Sequence, residues 1–522
     1  MKQKLFTLFL ALLASVGTIF AESGTCGKNL TWNLTLGVLT ISGTGDMYDY
    51  QVDYDEEDNP YTNAPWFYKR NNITSLIIND GVTSIGDFAF SYCQKLTSVT
   101  IPNSVTRVGY FVFDECSGIT VPVYNDHVFA YMPTSYSGAY TIPDGIESIA
   151  GGAFSHCEQL TSVTIPNSVT YVGASVFVGT RITTPVYNDH VFAYLPHSYS
   201  GAYTVPDGIE SIASEAFFYC QHLTSVTIPN SVTNVGDFAF DQVGITAPVY
   251  NDYVFAYMPT SYSNGTYIIP DGIESIAGGA FFYCNQFTSI ILPNSVTNIG
   301  NYAFAECNRL TSITIPNRAT TIGNAAFAVC RQLTSVTIPS SVVYIGDGAF
   351  DGCTGLTSVT CLAANLPELG QKWNAGVFGD LDCSQIPLYV PIESVAAYST
   401  ADQWKEFNPI VGLCNITFVN WDGTELLKLE SLTEGTMPEY TGETPTRPND
   451  AQYKYIFTGW TPEIVAANAN TTYTATYEAR DIHEGIEDVQ SDKKQCIKEI
   501  HDGQIFILRG EKVYTLQGQE VR

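Results

Sequence analysis

The chain has 522 residues, of which 45% are hydrophobic, 13% aromatic and only 14% charged, a composition that buries a large core and is not that of a disordered polymer. Acidic residues outnumber basic ones by 52 to 23, and the formal charge of −29 would repel nucleic acids and anionic lipid surfaces. Such a charge would keep an exported, tyrosine-rich protein soluble without any more specific role.

The first segment of the chain has the pattern of an export signal. Two lysines precede an apolar stretch from Leu5 to Leu13, and small residues follow up to Ala21. This stretch is too short to span a membrane as a helix, and it predicts cleavage after Ala21. Residues 1–21 are therefore predicted to be a signal peptide, and residues 22–72 an N-terminal cap.

One short unit recurs in register between residues 73 and 361. A decapeptide, LTSVTIPNSV, begins at Leu96 and returns at Leu160 and Leu223 and, in looser form, at Phe287, Leu310 and Leu333, each time followed by Gly, then Ala-Phe or Val-Phe, and usually Cys. The period is 23 residues within each pair or run of units, and it predicts stacked rungs that share one core. The phenylalanines predicted to form the core ladder are Phe90, Phe113, Phe154, Phe177, Phe217, Phe240, Phe281, Phe304, Phe327 and Phe350.

The pattern inside each unit predicts its local structure. Alternating apolar residues in Leu-Thr-Ser-Val-Thr-Ile favour a short strand, and the Pro-Asn-Ser or Pro-Asp-Gly that follows favours a tight turn. A second extended piece, Val-Thr-x-Ile/Val-Gly, leads to the turn that carries Phe and Cys. Stacking of the strands predicts a parallel sheet along one face, and the predicted fold class is a β-rich solenoid of 23-residue repeats.

Most of the thirteen cysteines follow the repeat. Eight of them lie three residues after a ladder phenylalanine, and Thr180 and Val243 take this place in the two other rungs. Equivalent positions in stacked rungs are about 4.8 Å apart, wider than the roughly 3.8 Å between the Cβ atoms of a disulfide. The repeat cysteines are therefore predicted to be buried and reduced.

A longer period of 63 to 64 residues overlies the first, because an insert follows each of three pairs of rungs. The inserts begin at Pro122, Pro185 and Pro248, and their alternating Val, Phe and Tyr around Asn-Asp predict a short hairpin or an extra rung. Tyrosine offers a large rigid ring with a polar tip, which suits binding surfaces. The alternative is that the rings pack on neighbouring rungs. The candidate ligand-binding residues are Tyr124, Tyr131, Tyr136, Tyr140, Tyr187, Tyr194, Tyr199, Tyr203, Tyr250, Tyr257, Tyr262 and Tyr267.

Beyond the repeats the composition changes three times. Residues 362–414, with Trp373 and Trp404, are predicted to cap the last rung, and residues 415–479 to form a small β-rich domain. Residues 480–522 combine a polar, acidic linker with a hairpin-like tail.

No motif of a catalytic or metal centre is present in the sequence. There is no P-loop, no Gly-x-Ser-x-Gly, no His-Glu-x-x-His and no paired Cys-x-x-Cys. His127 and His190 recur in the inserts, but the third copy has Tyr253 at this position, an exchange that a catalytic or metal-binding role would not tolerate. The sequence predicts a protein that is not an enzyme, with no catalytic residue, no metal site and no cofactor.

The repeat elements resemble those of the BspA-like leucine-rich-repeat family, and the resemblance covers residues 24–412. Residues 415–478 are similar to the Listeria-Bacteroides repeat, a β-grasp-like module, and the last 40 residues resemble the sorting tails of type IX secretion cargo in Bacteroidetes. These resemblances imply a Bacteroidetes protein that is cell-surface, outer-membrane-associated or extracellular. They imply an adhesin for host extracellular-matrix or cell-surface proteins or for other bacteria, with no nucleic-acid partner and no transmembrane segment in the mature chain.

Two other functions remain open at this point. A structural spacer or surface-layer component would have fully packed inserts and no large exposed apolar patch. A glycan-active enzyme subunit would need two carboxylates about 5 to 10 Å apart in a cleft. The acids of the solenoid lie mainly at turns, as Asp144, Asp207 and Asp271 do.

Overall fold

The computed structural model describes residues 22–54, 60–262, 265–370, 376–379, 381–482, 496–501, 504–509, 512–516 and 518–521. The predicted signal peptide and most of the predicted linker, residues 483–495, lie outside the described residues. The chain divides into two compact units, with the boundary between Gly412 and Leu413.

The first unit is a β-solenoid of about fourteen turns with two rows of short strands rather than the one sheet that the sequence predicted. The first row contains the predicted Leu-Thr-Ser-Val-Thr-Ile strands, together with one strand from each insert and one from the segment after residue 361. Its members are Ser75–Ile78, Ser98–Thr100, Gly138–Thr141, Leu160–Thr164, Gly201–Thr204, Leu223–Thr227, Thr266–Ile268, Ser289–Ile291, Ser312–Ile313, Ser335–Ile338, Ser358–Cys361 and Leu388–Pro391.

The second row contains the Val-Thr-x-Ile/Val segments and one Val-Phe-Ala-Tyr strand from each insert, and its strands are paired in parallel across most of the solenoid. Its members are Val82–Ile85, Arg107–Val108, Val128–Tyr131, Ser148–Ile149, Tyr171–Val172, Val191–Tyr194, Ser211–Ile212, Asn234–Val235, Val254–Tyr257, Ser275–Ile276, Asn298–Ile299, Thr321–Ile322, Tyr344–Ile345 and Glu368–Leu369. The sequence predicts only an extended conformation for these segments, because two residues are too few to show the alternation typical of a strand.

Each insert is both a hairpin and a rung. Val123–Tyr124 pairs antiparallel with Val128–Tyr131, which in turn pairs in parallel with Ser148–Ile149 of the next rung. The following segment, Gly138–Thr141, pairs in parallel with Leu160–Thr164. The insert therefore adds one layer to both strand rows. The other inserts repeat the hairpin with Val186–Tyr187 and Val249–Tyr250.

The tight turns that carry the ladder phenylalanines form a third line of contact between rungs. All ten rings are buried, and neighbours within a run stack face to face, as Phe304 does on Phe327 with centroids 5.2 Å apart. Backbone hydrogen bonds also join these turns, such as Phe304 N to Ala326 O at 2.7 Å. We call this line the phenylalanine corner.

The glycine in Ile-Gly or Val-Gly, just before the phenylalanine corner, lets neighbouring rungs approach closely. A Cβ at Gly323 would lie 2.5 Å from Asn301 N and 2.6 Å from Gly300 C of the preceding rung. Because these are backbone atoms, they cannot move aside without separating the rungs.

The twelve cysteines whose side chains the structure describes are all buried and none forms a disulfide. In ordinary rungs the thiol donates to the carbonyl of the preceding ladder residue, as Cys307 Sγ does to Phe281 O at 3.2 Å and Cys330 Sγ to Phe304 O at 3.2 Å. A small side chain that is also a weak donor fits this place, which explains why cysteine recurs there.

We expect the repeat cysteines of the native protein to resist alkylation at pH 8. Burial raises the pKa of Cys157, Cys220 and Cys284 to about 12, so thiolate is scarce and the sulfur is inaccessible. Peptide mapping after iodoacetamide treatment should find them unlabelled in the native protein and labelled after unfolding without reductant. Labelling that appears only after reduction would show disulfides and contradict the structure.

The ring ladder continues at both ends of the solenoid. Trp66 stacks on Phe90 at 5.3 Å and its Nε1 donates to Ala89 O at 2.7 Å. At the other end Phe378 stacks on Phe350 at 5.8 Å and contacts Trp404 edge-on at 5.5 Å.

Short elements lie before and after the repeats. Those before the repeats are the strands Glu22–Gly27, Leu30–Thr35, Val38–Gly43, Gly45–Asp46, Val52–Tyr54 and Pro60–Thr62 and the 3-10 helix Phe67–Asn72. Those after the repeats are the 3-10 helices Cys383–Gln385, Ile392–Ser394 and Trp404–Glu406 and the α-helix Val395–Tyr398.

The second unit contains two sheets. Strand Ile410–Val419, which begins three residues before the boundary, forms a mixed sheet with Glu425–Thr433, Tyr453–Thr461 and Thr471–Asp481, and it pairs in parallel with the last of these. Its core includes Phe418, which stacks on Tyr473 at 5.3 Å. The tail forms a four-stranded antiparallel sheet of Cys496–His501, Gln504–Arg509, Lys512–Thr515 and Glu520–Val521. Within the described ranges no helix is long and apolar enough to cross a membrane.

Candidate functional site

The first tyrosine of each insert forms an exposed row. Tyr124, Tyr187 and Tyr250 have 46%, 45% and 45% of their surface exposed. Each lies parallel to the buried phenylalanine of its own hairpin, with centroid distances of 5.9, 6.0 and 5.7 Å. One ring face is therefore held and the other is free. Since successive copies are three rungs apart, the rings recur about every 14 Å along the solenoid.

The second tyrosine of each insert serves the core. Tyr131 and Tyr194 are buried and Tyr257 is half-buried, and they contact Phe113, Phe177 and Phe240 at 6.0, 5.4 and 6.2 Å. The rings Phe129, Phe192 and Phe255 of the inserts stack on the next ladder phenylalanine at 4.8 to 4.9 Å. The ladder thus passes through the inserts, which the sequence missed because these residues fall outside the 23-residue register.

The remaining insert tyrosines form half-buried pairs. Tyr136 meets Tyr140 edge to face at 5.4 Å, and its hydroxyl donates to Ala139 O at 3.0 Å. The equivalent pairs are Tyr199 with Tyr203 at 5.3 Å and Tyr262 with Tyr267 at 5.6 Å. These six rings pack against the core and leave only part of their surface to solvent. The row of Tyr124, Tyr187 and Tyr250 is therefore the most accessible part of the predicted tyrosine set.

A buried asparagine fixes each exposed tyrosine. Asn125 Nδ2 donates to Pro102 O and Val105 O of the preceding rung, both at 2.8 Å. Its Oδ1 accepts from the backbone N–H of His127 and Val128 at 2.9 and 2.8 Å. Asn188 and Asn251 repeat these four bonds. The sequence predicts only that this asparagine lies in a turn. In the structure its side chain also joins the hairpin to the preceding rung.

At the phenylalanine corner the rungs on either side of an insert come into direct contact. Phe111 N donates to Gly151 O and Phe238 N to Gly278 O, both at 3.0 Å. The insert thus adds a layer to the strand rows and to the ring ladder but not at the first residues of these turns, so the rungs converge there. Side chains 65 and 64 residues apart meet as a result: the Tyr110 and Ser175 hydroxyls are 2.8 Å apart, and Asn301 Nδ2 donates to Asp237 Oδ2 at 2.8 Å.

A polar groove lies between this convergence and the second strand row. Its first part encloses about 610 Å³ beside Arg107 and Tyr171, and two adjoining parts enclose about 240 and 430 Å³. Consecutive parts share Ser214, so the groove runs continuously from Arg107 to Tyr344. We call this feature the polar groove. The sequence pattern does not predict this groove, because its lining comes from the variable position of each short second-row strand.

Two carboxyls of the groove are buried enough to change their acidity. Burial raises the pKa of Asp87, which accepts from Tyr110 N at 2.7 Å, and also raises the pKa of Asp237, despite its bond from Asn301. The equivalent places in later rungs have Asn301 and Asn324, which bond the next backbone N–H at 2.8 and 2.9 Å. An amide therefore fits where Asp237 lies.

We expect Asp237→Asn to stabilise the protein near pH 7 and to have no such effect in acid. A raised folded-state pKa contributes stability that is fully present below the unfolded pKa, near 4, and is lost as the pH rises through the folded pKa. The side-chain amide of Asn at position 237 does not ionise, so the variant does not lose this stability as the pH rises. Denaturant midpoints measured from pH 3.5 to pH 7.5 should separate from wild type only as the pH rises. Asp144→Asn at an exposed turn is the control, and a constant offset of Asp237→Asn at all pH values would contradict the expectation.

The recurring histidines pair with acids on the open surface. His127 Nδ1 lies 3.5 Å from Glu147 Oε1 and His190 Nδ1 3.4 Å from Glu210 Oε1. Both acids are more than half exposed, and the third insert has Tyr253 in this place. Among the residues that the structure describes, no group of three or more His, Cys, Asp or Glu is placed to hold a metal ion.

These observations define the class of protein, a parallel β-solenoid of leucine-rich repeats. The model of the BspA type leucine rich repeat region matches residues 62–138, 125–202, 188–268 and 249–374, which together span more than half of the chain. The chain belongs to this BspA-type leucine-rich-repeat family.

Several solved structures are similar in part. A leucine-rich repeat protein from Eubacterium ventriosum ATCC 27560 is 21% identical, with 71% of this chain and 84% of that chain covered and a TM-score of 0.27. A leucine rich cell surface protein from Faecalibacterium prausnitzii A2-165 is 24% identical, with 65% and 88% covered and a TM-score of 0.28. A leucine-rich repeat protein from Bacteroides ovatus ATCC 8483 is 23% identical, with 64% and 93% covered and a TM-score of 0.22. The family assignment rests on the repeats. No curated protein matches the chain significantly.

Proposed function

We propose that this protein is a cell-surface or secreted binding protein that acts as an adhesin for host matrix or cell-surface proteins or for other bacteria. The observation that carries the proposal is the threefold recurrence of one exposed tyrosine, at Tyr124, Tyr187 and Tyr250, in the same local setting. Each ring is held from behind, so little conformational entropy is lost when a partner covers it. Three weak contacts on one rigid support add up to strong binding of a long or repetitive partner.

The test is binding of the purified protein to an array of matrix proteins, mucins and whole bacterial cells. The triple variant Tyr124→Ser, Tyr187→Ser, Tyr250→Ser should lose most of the saturable binding. Each single variant should bind with an affinity lowered by about tenfold or less. A matched control replaces three exposed tyrosines outside the row, Tyr48, Tyr68 and Tyr283, with serine. Circular dichroism and thermal unfolding check that each variant is folded.

A structural spacer is the competing function, and the same experiment separates the two. Wild-type protein that binds nothing on the array would favour the spacer. Binding that survives the triple variant unchanged would remove the tyrosine row from the proposal. A glycan-active enzyme subunit has less support, because the two half-buried groove carboxyls, Asp87 and Asp237, already accept hydrogen bonds from Tyr110 N and Asn301 Nδ2.

The domain plan that supports this function is also a proposal. Residues 1–21 would direct export, residues 22–72 and 362–414 would cap the solenoid, and residues 415–479 would act as a β-grasp-like spacer. The four-stranded tail sheet has the all-β character of a type IX sorting tail, which favours outer-membrane-associated or extracellular localisation in a member of the Bacteroidetes. In such a host, a chain truncated before Gly485 should remain in the periplasm, and unchanged surface exposure would reject the sorting role.

A further inference from the structure

The polar groove is a second feature of the solenoid that can bind a ligand. None of the insert tyrosines lines it, and its three parts form one continuous channel along the second strand row. The groove therefore belongs to a different surface from the tyrosine row, and its function can be tested independently of the adhesin proposal.

The charge of the groove excludes polyanions. Asp87, Glu147, Glu210 and Asp237 line its first two parts, and Arg107 is the one lysine or arginine among the lining residues. A nucleic acid, a sulfated polysaccharide or an anionic lipid surface would meet this excess of carboxylates there.

The lining also lacks the surface that a hydrophobic peptide helix needs. Isoleucine and valine of the second row point into the core, and Ile149, Val172 and Val235 are buried. The groups that face the channel are Ser and Thr hydroxyls, the side-chain amides of Asn234 and Asn298, and the carboxyls of acidic residues such as Glu210. An amphipathic helix would bury these polar groups and remove their hydrogen bonds to water without supplying new ones.

Two tyrosine rings supply flat apolar platforms within this polar lining. Tyr171 lines the first two parts of the groove and has 64% of its surface exposed, and Tyr344 lies at the far end beside Thr321. Flat rings between planar amides and carboxyls match a sugar chain, whose ring faces carry C–H groups and whose edges carry hydroxyls that both donate and accept.

We propose that the polar groove binds a neutral glycan chain in an extended conformation. The pyranose faces stack on Tyr171 and Tyr344. Arg107, Asn234 and Asn298 bond the hydroxyls along the edges, and the regular spacing of rungs, about 4.8 Å, repeats these contacts along the chain. The open channel accepts internal segments of a long polysaccharide, so recognition does not depend on a chain end.

The test is affinity electrophoresis and calorimetry of the full chain with soluble mannan, xylan, galactomannan and mixed-linkage β-glucan, with heparin and alginate as anionic probes. At least one neutral polysaccharide should bind, with little change between 50 and 500 mM salt, because no ion pairs form. Tyr171→Ala and Asn234→Ala should each weaken binding by about tenfold, the effect of losing one ring or hydrogen-bonded contact.

The control for the groove is the triple variant of the tyrosine row, Tyr124→Ser, Tyr187→Ser, Tyr250→Ser, which should bind the polysaccharide as wild type does. The proposal is overturned if no neutral polysaccharide binds, if binding survives Tyr171→Ala and Asn234→Ala together, or if only the anionic probes bind. Loss of glycan binding in the tyrosine-row variant would place the glycan on the inserts and equally reject the groove. Because the two variants separate the two surfaces, either proposal can fail while the other holds.

Discussion

Replacing Phe304 with alanine is expected to lower the free energy of unfolding by about 4 kcal/mol, the cost of removing a fully buried ring and leaving a cavity. The ring is fully buried and lies between Phe281 at 5.0 Å and Phe327 at 5.2 Å, in the longest uninterrupted run of the ladder. Neighbouring rungs cannot close the gap, because their spacing is fixed by the strand rows and by the hydrogen bonds of the phenylalanine corner. Guanidinium unfolding followed by circular dichroism measures the effect.

The control for this variant is Val343→Ala on the exposed side of the same region, where the side chain is 63% exposed and a change within about 0.5 kcal/mol is expected. Because a solenoid can open at one rung, hydrogen exchange of the amides of Phe281 and Phe327 should accompany the equilibrium measurement. An unchanged midpoint and unchanged exchange at both neighbours would show that the rings do not carry the core.

The second large effect is expected at the buried asparagine of the middle insert. Asn188→Ala should cost about 3 kcal/mol, since it breaks four hydrogen bonds and leaves buried carbonyl and N–H groups without partners. The bonds from Nδ2 to Pro166 O and Val169 O are 2.7 and 2.8 Å, and those that Oδ1 accepts from His190 N and Val191 N are 2.8 and 2.7 Å. The loss should be local, with fast amide exchange at Val191.

Asp189→Ala is the matched control, because Asp189 is the exposed neighbour and makes a single pair of contacts with Asn167. Its effect should stay below about 1 kcal/mol. Asn188→Asp keeps the two accepted bonds but loses both donated ones, so it should be destabilised by a similar amount to the alanine variant. If Asn188→Ala and Asp189→Ala behave alike, the asparagine does not hold the hairpin.

The link between the asparagine and the tyrosine row gives this variant a second readout. Tyr187 precedes Asn188 directly and owes its position to the hairpin that the asparagine holds. If the adhesin proposal is right, Asn188→Ala should weaken binding although the variant still carries Tyr187. A rigid support thus matters as much as the ring that it presents.

Much of the fold follows from the sequence because the repeat is local and regular. One buried phenylalanine and one small residue per rung are sufficient to predict the solenoid, the position of the ladder and the burial of cysteines such as Cys307. The insert hairpins and the extra rung also follow, since Val-Tyr and Val-Phe-Ala-Tyr flank a turn signal. The period predicts which residues share a layer, and stacking then allows only a narrow range of distances between layers.

Only the tertiary structure distinguishes the roles of residues that look alike in the sequence. Tyr124 and Tyr131 occupy the same hairpin, yet one is exposed and the other buried, because the bulge in the hairpin pairs Tyr124 with Phe129 and turns Tyr131 toward Phe113. The polar groove lies where each insert adds a layer to the strand rows but none at the first residues of the corner turns, so residues such as Asp237 and Asn301 converge. Periodicity specifies each rung, whereas convergence between distant rungs depends on how the layers stack.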